Sequence, residues 1–251
     1  MSAGPSETRG KTVSEAVAAW RSVRAFDDRA VDAAAIRDIL RRAARAPSGG
    51  NLQPWVVETV EGERLAALKA LMRRLSVERP EGEAMAYDFY PRELKPAYLQ
   101  RRRRNGEILY DALGIDREDK AARTAWINEN FQFFGAPYGV LLFIERSFGP
   151  SQWLDLGIYL QTVLLLLTEA GYGACPQADW AMFDRSVSGF LGMPPDLTLV
   201  CGVAIGFTDT TRPENRIRTE RDDPLARPDG DSAEPSSAAR PPRGLLPGAI
   251  S

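Results

Sequence analysis

Histidine does not occur among the 251 residues, and that absence decides which side chains are left to do chemistry. Ser-His-Asp and Cys-His nucleophilic machinery is excluded, as are His-ligated zinc and facial-triad iron. What remains is arginine, amide and hydroxyl groups gathered in three short segments. Arg21-Ser22-Val23-Arg24 sets two guanidinium groups around a hydroxyl, a combination suited to clamping a phosphate or a developing anion because guanidinium presents several fixed donors. Pro47-Ser48-Gly49-Gly50-Asn51-Leu52-Gln53-Pro54-Trp55 fixes the chain with prolines and lets backbone amides approach a ligand closely at its glycines. Asn51 and Gln53 add amide donors and acceptors matched to the polar edge of a heterocycle. Asn215-Arg216-Ile217-Arg218 is a second small basic cluster. An inventory of this kind points to a bound cofactor that carries the reaction.

Other features narrow the classes further. The formal net charge is -2, which gives no sign of a nucleic-acid partner, and the four arginines 101–104 point around a helix rather than forming one face. The two cysteines, Cys175 and Cys201, lack CxxC spacing and read as small buried apolar residues. Gly171-Tyr172-Gly173-Ala174-Cys175-Pro176 begins like a dinucleotide fingerprint but has no third glycine and follows a helix, so a Rossmann reading fails. The apolar run Val163 to Leu167 is far short of the roughly 20 residues of a membrane span, and Met1 to Pro5 has no apolar stretch. Both point to a reducing, cytoplasmic setting with no membrane partner.

These segments need elements to position them. Thr12-Val13-Ser14-Glu15 fits a capping box at a first helix, with Val13, Val17 and Trp20 at helical spacing, which leads into Arg21. A second helix starts after Asp32, shows Ile36, Ile39, Leu40 and Ala43 on one face, and stops at Pro47. A strand over Trp55–Val60 and a helix using Leu65, Leu68, Leu71, Met72 and Leu75 follow. Residues 77–118 read as an excursion or lid, rich in Pro, Gly, Tyr and Glu at its start and helical through the four arginines. Trp126 marks a further helix. Tyr138 to Glu145 is a buried strand. Trp153 to Ala170 is the most apolar helix, expected to be buried on nearly all sides and closed by Gly171, and Leu199 to Phe207 is the last strand. The reading is one α+β domain over residues 12–221, with flexible tails at 1–11 and 222–251.

In this order and spacing the three segments resemble the FMN-dependent nitroreductase family. The likeness is to its nitrobenzoate-reductase-like members, which share the Pro-Ser-Gly-Gly-Asn-Leu-Gln-Pro-Trp string almost letter for letter. The stretch Tyr98 to Arg123, with Leu109-Tyr110-Asp111-Ala112-Leu113-Gly114-Ile115, is similar to that subgroup too, and the resemblance spans roughly residues 14–221. It implies a small, mostly antiparallel sheet surrounded by helices, in an intertwined homodimer with FMN at the subunit interface. NAD(P)H would be the co-substrate, a small electron-poor aromatic the oxidant, and hydride transfer a ping-pong cycle in which solvent supplies the proton.

Carried over residue by residue, the resemblance gives Arg21 and Ser22 to the phosphate and ribityl groups and Arg24 to flavin N1 and O2. Pro47, Ser48, Gly49, Asn51 and Gln53 would reach the same flavin from the other subunit. Cys175-Pro176-Gln177-Ala178 matches the loop near flavin N5, which makes Pro176 and Gln177 cofactor contacts, and Arg216 and Arg218 match a second phosphate clamp. Trp20 stands where many relatives have a first arginine before the serine. Tyr87, Tyr90 and Tyr98 are expected to wall the site from the excursion. Phe131, Phe133 and Phe134 read first as core, with Phe131 kept as a candidate substrate contact. Reductive dehalogenation, enone reduction, a biosynthetic dehydrogenation and non-catalytic flavin binding remain as alternatives.

Overall fold

The computed structural model describes residues 10–225, so most of the tails expected at 1–11 and 222–251 lies outside the described residues. Four strands, β1 (Val56–Glu61), β2 (Tyr138–Glu145), β3 (Gly173–Gln177) and β4 (Leu197–Gly206), form one sheet in the order β1-β2-β4-β3. Every neighbouring pair is antiparallel. Because side chains alternate across a strand, β2 sends Tyr138, Val140, Leu142 and Ile144 to one side of the sheet and Leu141 and Phe143 to the other.

Each side is covered by helices. The first carries α2 (Ala33–Ala43) and α6 (Pro150–Glu169), which bury Ile36, Ile39, Leu40, Leu156, Tyr159, Val163, Leu164 and Leu167 against the sheet. The second carries α3 (Gly62–Glu78), α7 (Asp184–Leu191) and two 3-10 turns, Glu129–Gly135 and Ala178–Phe183. Each fully buried aliphatic or aromatic side chain contributes about 1.5–3 kcal/mol by leaving water, so these two layers hold most of the fold's stability. Gly202 and Gly139 let the rings come close: a methyl group at either would overlap the Trp180 indole or the Phe133 ring.

Local signals set the helix ends. The Thr12 hydroxyl accepts from Glu15 N–H and the Glu15 carboxylate accepts from Thr12 N–H, which starts α1 (Val13–Ala19) as the capping box requires. Asp32 accepts from the amides of Ala34 and Ala35 at the start of α2. Gly114 closes α4 (Pro96–Leu113), and Gly171, at φ 85°, follows α6; both lie in the left-handed region that glycine enters freely. A fifth helix, α5 (Lys120–Asn128), follows the excursion.

Three expectations are corrected. The first helix, expected to carry Trp20 and lead into Arg21, stops at Ala19, and Arg21–Arg24 runs extended beside β3. Cys175–Gln177, expected within a loop that runs to Ala178, belongs instead to the edge strand β3; Pro176, which has no N–H to give, is tolerated there. Finally, α6 is not buried all round. Its outer stripe leaves Leu154 67% exposed and Gly157 and Gln161 exposed, and on α1 the apolar Val13 and Val17 are 74% and 56% exposed. Apolar spacing correctly marked faces that pack, but a single chain does not cover all of them.

Candidate functional site

The free edge of β3 receives the Arg21 segment. Ser22 and Ala174 form a parallel bridge, and the Val23 amide donates to the Ala174 carbonyl at 2.9 Å. From the far end of the chain Asn215, 1% exposed, locks the segment in place. Its Oδ1 accepts from the Arg24 amide at 2.8 Å, and its Nδ2 donates to the carbonyls of Ala25 and Asp209, both at 2.8 Å. Two residues on from Ile217's predecessor, Arg218 donates to the carbonyls of Ala18, Ala19 and Trp20 at 3.2, 3.5 and 3.4 Å. These are the unpaired carbonyls at the end of α1, which favour a cation.

This arrangement sets two like charges side by side. Burial, and then the charge of Arg218, both push the Arg21 guanidinium below its usual range. The Arg21 Nε is buried and finds no hydrogen-bond partner among the described residues. A buried, unpaired guanidinium donor is costly, and an anion in front of it removes the cost. Arg216, expected in the same clamp, turns away to the carbonyls of Thr210 and Thr211 at 3.3 and 3.0 Å. Trp20 is part-buried against the core, with its Nε1 lacking a partner among the described residues.

At the C-terminal end of β3 the side chains divide between core and site. Gln177 is 2% exposed, and its Nε2 donates to the Asn130 carbonyl at 2.7 Å, so its amide faces the interior. Burial pushes the Cys175 thiol up to about 11 against the opposing effects of Arg24 and Ser22, and burial alone takes Cys201 to about 12. Both are inert packing residues, as expected. Pro176 is part-buried. Asp179, which sequence reasoning missed, sits half-buried just beyond the strand; burial raises its pKa and Arg24 lowers it.

The Pro47–Trp55 segment forms a separate, preformed loop. Gly50, Asn51 and Gln53 all have positive φ, at 58°, 56° and 51°, a costly run for the two non-glycine residues. Local bonds hold it: the Ser48 hydroxyl accepts from the Gln53 amide at 3.0 Å, and Gln53 Nε2 donates to the Asn51 carbonyl at 3.2 Å. The Gly49 amide donates to Asp155 Oδ2 at 3.1 Å. Asp155 was also missed, although a carboxylate near the start of so apolar a helix was a visible signal. Behind the loop Trp55 stacks on Tyr159 at 4.9 Å, and the Tyr159 hydroxyl donates to the Leu40 carbonyl. Pro47, Gly49, Asn51 and Gln53 stay exposed. Among the described residues no hydrogen bond joins this loop to Arg21–Arg24.

The excursion is anchored at its root. The Glu83 carboxylate accepts from the Ser186 amide at 3.1 Å and its hydroxyl at 2.6 Å, on the first turn of α7, and pairs with Arg79 at 2.9 Å. Tyr87 then turns inward: its hydroxyl donates to the Val200 carbonyl, and its ring meets Trp153 edge-on at 4.9 Å. Tyr90 and Tyr98 are not brought to it. They lie exposed under the guanidinium groups of Arg102, at 4.2 Å, and Arg101, at 5.4 Å. Phe131 is corrected to core: it is 3% exposed, edge-on to both Trp180 and Phe183, with no surface left for a substrate.

Comparison with known proteins agrees with this architecture. The nitroreductase family model matches residues 17–207. A 4-nitrobenzoate reductase of Pseudomonas putida is 34% identical over 206 residues, covering 82% of this chain and 89% of its own. The nitroreductase NfnB of Mycolicibacterium smegmatis is 34% identical over 220 residues, covering 87% and 92%. Among solved structures, the FMN- and NADPH-dependent nitroreductase NfnB from Sphigopyxis sp. strain HMH superposes with a TM-score of 0.82 at 46% identity, covering 85% of this chain and 96% of that one. The antiparallel sheet between two helical layers and the extent of these matches lead to one conclusion: the chain belongs to the nitroreductase family.

Proposed function

We propose that the chain is an FMN-dependent oxidoreductase that reduces nitroaromatic or similar electron-poor aromatic compounds with NAD(P)H. The observation that carries this reading is the buried, unpartnered Nε of Arg21 beside a second guanidinium, that of Arg218. A phosphate supplies the anion that both lack, and FMN ends in one. Arg21, Ser22 and Arg218 are assigned to that phosphate and the ribityl chain. Arg24, whose amide Asn215 fixes, is assigned to the pyrimidine edge of the flavin, where a cation stabilises negative charge. The strand end at Pro176 and Gln177 offers backbone rather than the Gln177 side chain, since that amide is used internally. Arg216, bonded to its own turn, is left as an outer contribution to the field.

When bound, the flavin supplies hydride transfer, taken from NAD(P)H and passed to the nitroarene in alternate half-reactions. The chain's own work is to bind, orient and exclude water. Tyr87 and Trp153 form the inner wall, with Tyr90 and Tyr98 farther out on the excursion. The relatives named for nitrobenzoate reduction support this substrate class.

The working unit is proposed to be a homodimer. One chain leaves the Pro47–Gln53 loop unconnected to the arginine edge, and it leaves apolar Val13, Val17 and Leu154 in water. A second copy that covers this face brings its own loop, with Ser48, Asn51 and Gln53, to complete the site. The buried free thiols fit a reducing, cytoplasmic setting, and no helix among the described residues is long and apolar enough to cross a membrane.

The test is direct. Purified protein is expected to be yellow, to release FMN on denaturation, and to consume NADPH or NADH when 4-nitrobenzoate or nitrobenzene is added. A colourless protein that takes up no FMN sinks the reading. A flavoprotein that turns over a halophenol or an enone but no nitroarene redirects it to another flavin reaction.

A further inference from the structure

The end of β3 carries a carboxylate for which the proposed cycle has no use. Gln177, the last residue of β3, lies opposite Gly202 of β4, and Asp179 stands two residues on, in the 3-10 turn Ala178–Phe183 that packs against β4. The Val200 carbonyl is the point on which the Tyr87 hydroxyl lands. On the other side of β3, Ser22 bridges Ala174, and Arg24 follows two residues on, its amide held by Asn215. Arg24, Asp179 and Tyr87 therefore converge on one strand end from three distant stretches of chain, and Asp179 feels Arg24 and is felt by Tyr87.

Other buried carboxylates of this protein are tied down. Asp184 pairs with Arg146 at 2.7 Å and accepts from the Leu199 amide at 2.9 Å. Glu214 pairs with Arg212 at 3.1 Å, and Asp155 accepts from Gly49. Asp179 is half-buried and, among the described residues, has no ion pair and no hydrogen bond from another residue, only the interaction of its carboxylate with its own backbone amide. A carboxylate with a structural task would be expected to have such a partner. The cation that acts on it, Arg24, is assigned to the flavin in the function proposed above and offsets its charge only in part. The negative charge of Asp179 then lies beside the Tyr87 wall, where an aromatic ring would lie.

We infer that Asp179 selects the charge of the aromatic substrate, favouring neutral or cationic rings and disfavouring rings that carry a carboxylate. The inference rests on the flavin-dependent reading and on Tyr87 as part of the substrate wall. It sets this chain apart from a plain nitrobenzoate reductase: nitrobenzene and nitrobenzamides are the better oxidants, and 4-nitrobenzoate the poorer one. Like-charge repulsion across a partly screened site of this size is worth roughly a tenfold change in affinity.

The experiment uses oxidised holoprotein and two rings it cannot reduce, benzoate and benzamide, with binding read by calorimetry and by the change in flavin absorbance. Wild type is expected to bind benzamide more tightly than benzoate. Asp179→Asn keeps the shape and removes the charge; it is expected to bind benzoate roughly tenfold more tightly while benzamide affinity and flavin content stay unchanged. Asp179→Ser is expected to give the same gain. A gain with Asn alone would reveal a new amide–carboxylate bond and overturn the inference. Unchanged benzoate affinity in both variants, with benzamide still bound, also overturns it and leaves the flavin reading intact. A wild-type protein that holds no flavin overturns both.

Discussion

The arginine edge and the Pro47–Gln53 loop are built in opposite ways. The edge keeps an extended backbone and is held by long-range bonds: Asn215 and Arg218 reach back to residues 18–25. Its side chains are the dissatisfied part, two neighbouring guanidinium groups with a buried donor unpaired. The loop reverses this. Its backbone is the strained part, with three positive φ values in four residues, while its side chains are at ease in water or bonded to the loop's own backbone. Like charges repel and need distant anchors to stay together, whereas a contoured backbone can be held by a few local bonds and one carboxylate. The edge is suited to charge and the loop to shape.

Substitutions can break that contrast. The largest effect is expected at Arg21: Arg21→Ala should weaken FMN binding roughly 100-fold, in line with loss of a charge-assisted bond, measured by fluorescence titration of the apoprotein. Gln53→Ala should weaken it only about threefold, since neutral exposed amides contribute little; equal losses would erase the distinction. Next comes Asn215→Ala, which strips partners from the Arg24 amide and the Ala25 and Asp209 carbonyls. About 2 kcal/mol of stability should go with them, read from urea unfolding, with FMN binding loosened as well. Gly50→Ala should cost about 1 kcal/mol in the same assay, because alanine at φ 58° is strained. The smallest effect is chemical: Cys175 and Cys201, held at about 11 and about 12, should resist iodoacetamide at pH 8 in native protein and react on unfolding.

Legibility followed the range of the forces involved. The helix begun by Asp32 and the buried strand β2 were readable because their caps and apolar spacing are local. β3 was not, since Gly173-Ala174-Cys175-Pro176-Gln177 lacks strong strand formers and becomes a strand only by pairing with β4. Apolar content marked α6 and α1 as packing helices but could not say that Leu154 and Val17 face away from their own core. The arginines were legible as a chemical type. Which of Arg216 and Arg218 stands beside Arg21 depends on Asn215, whose three bonds leave no local signature. Phe131 was ambiguous for the same reason: only the positions of Trp180 and Phe183 enclose it.

The Asn215 clamp also sets a timetable. Arg24 and its anchor are 191 positions apart, so on the ribosome the edge of β3 waits for nearly the whole domain to be made. At ordinary translation speeds that interval is roughly 10–40 s. Throughout it the helices and the other strands can assemble, but the proposed phosphate site cannot close, and on that reading cofactor capture becomes one of the last events in the life of the nascent chain.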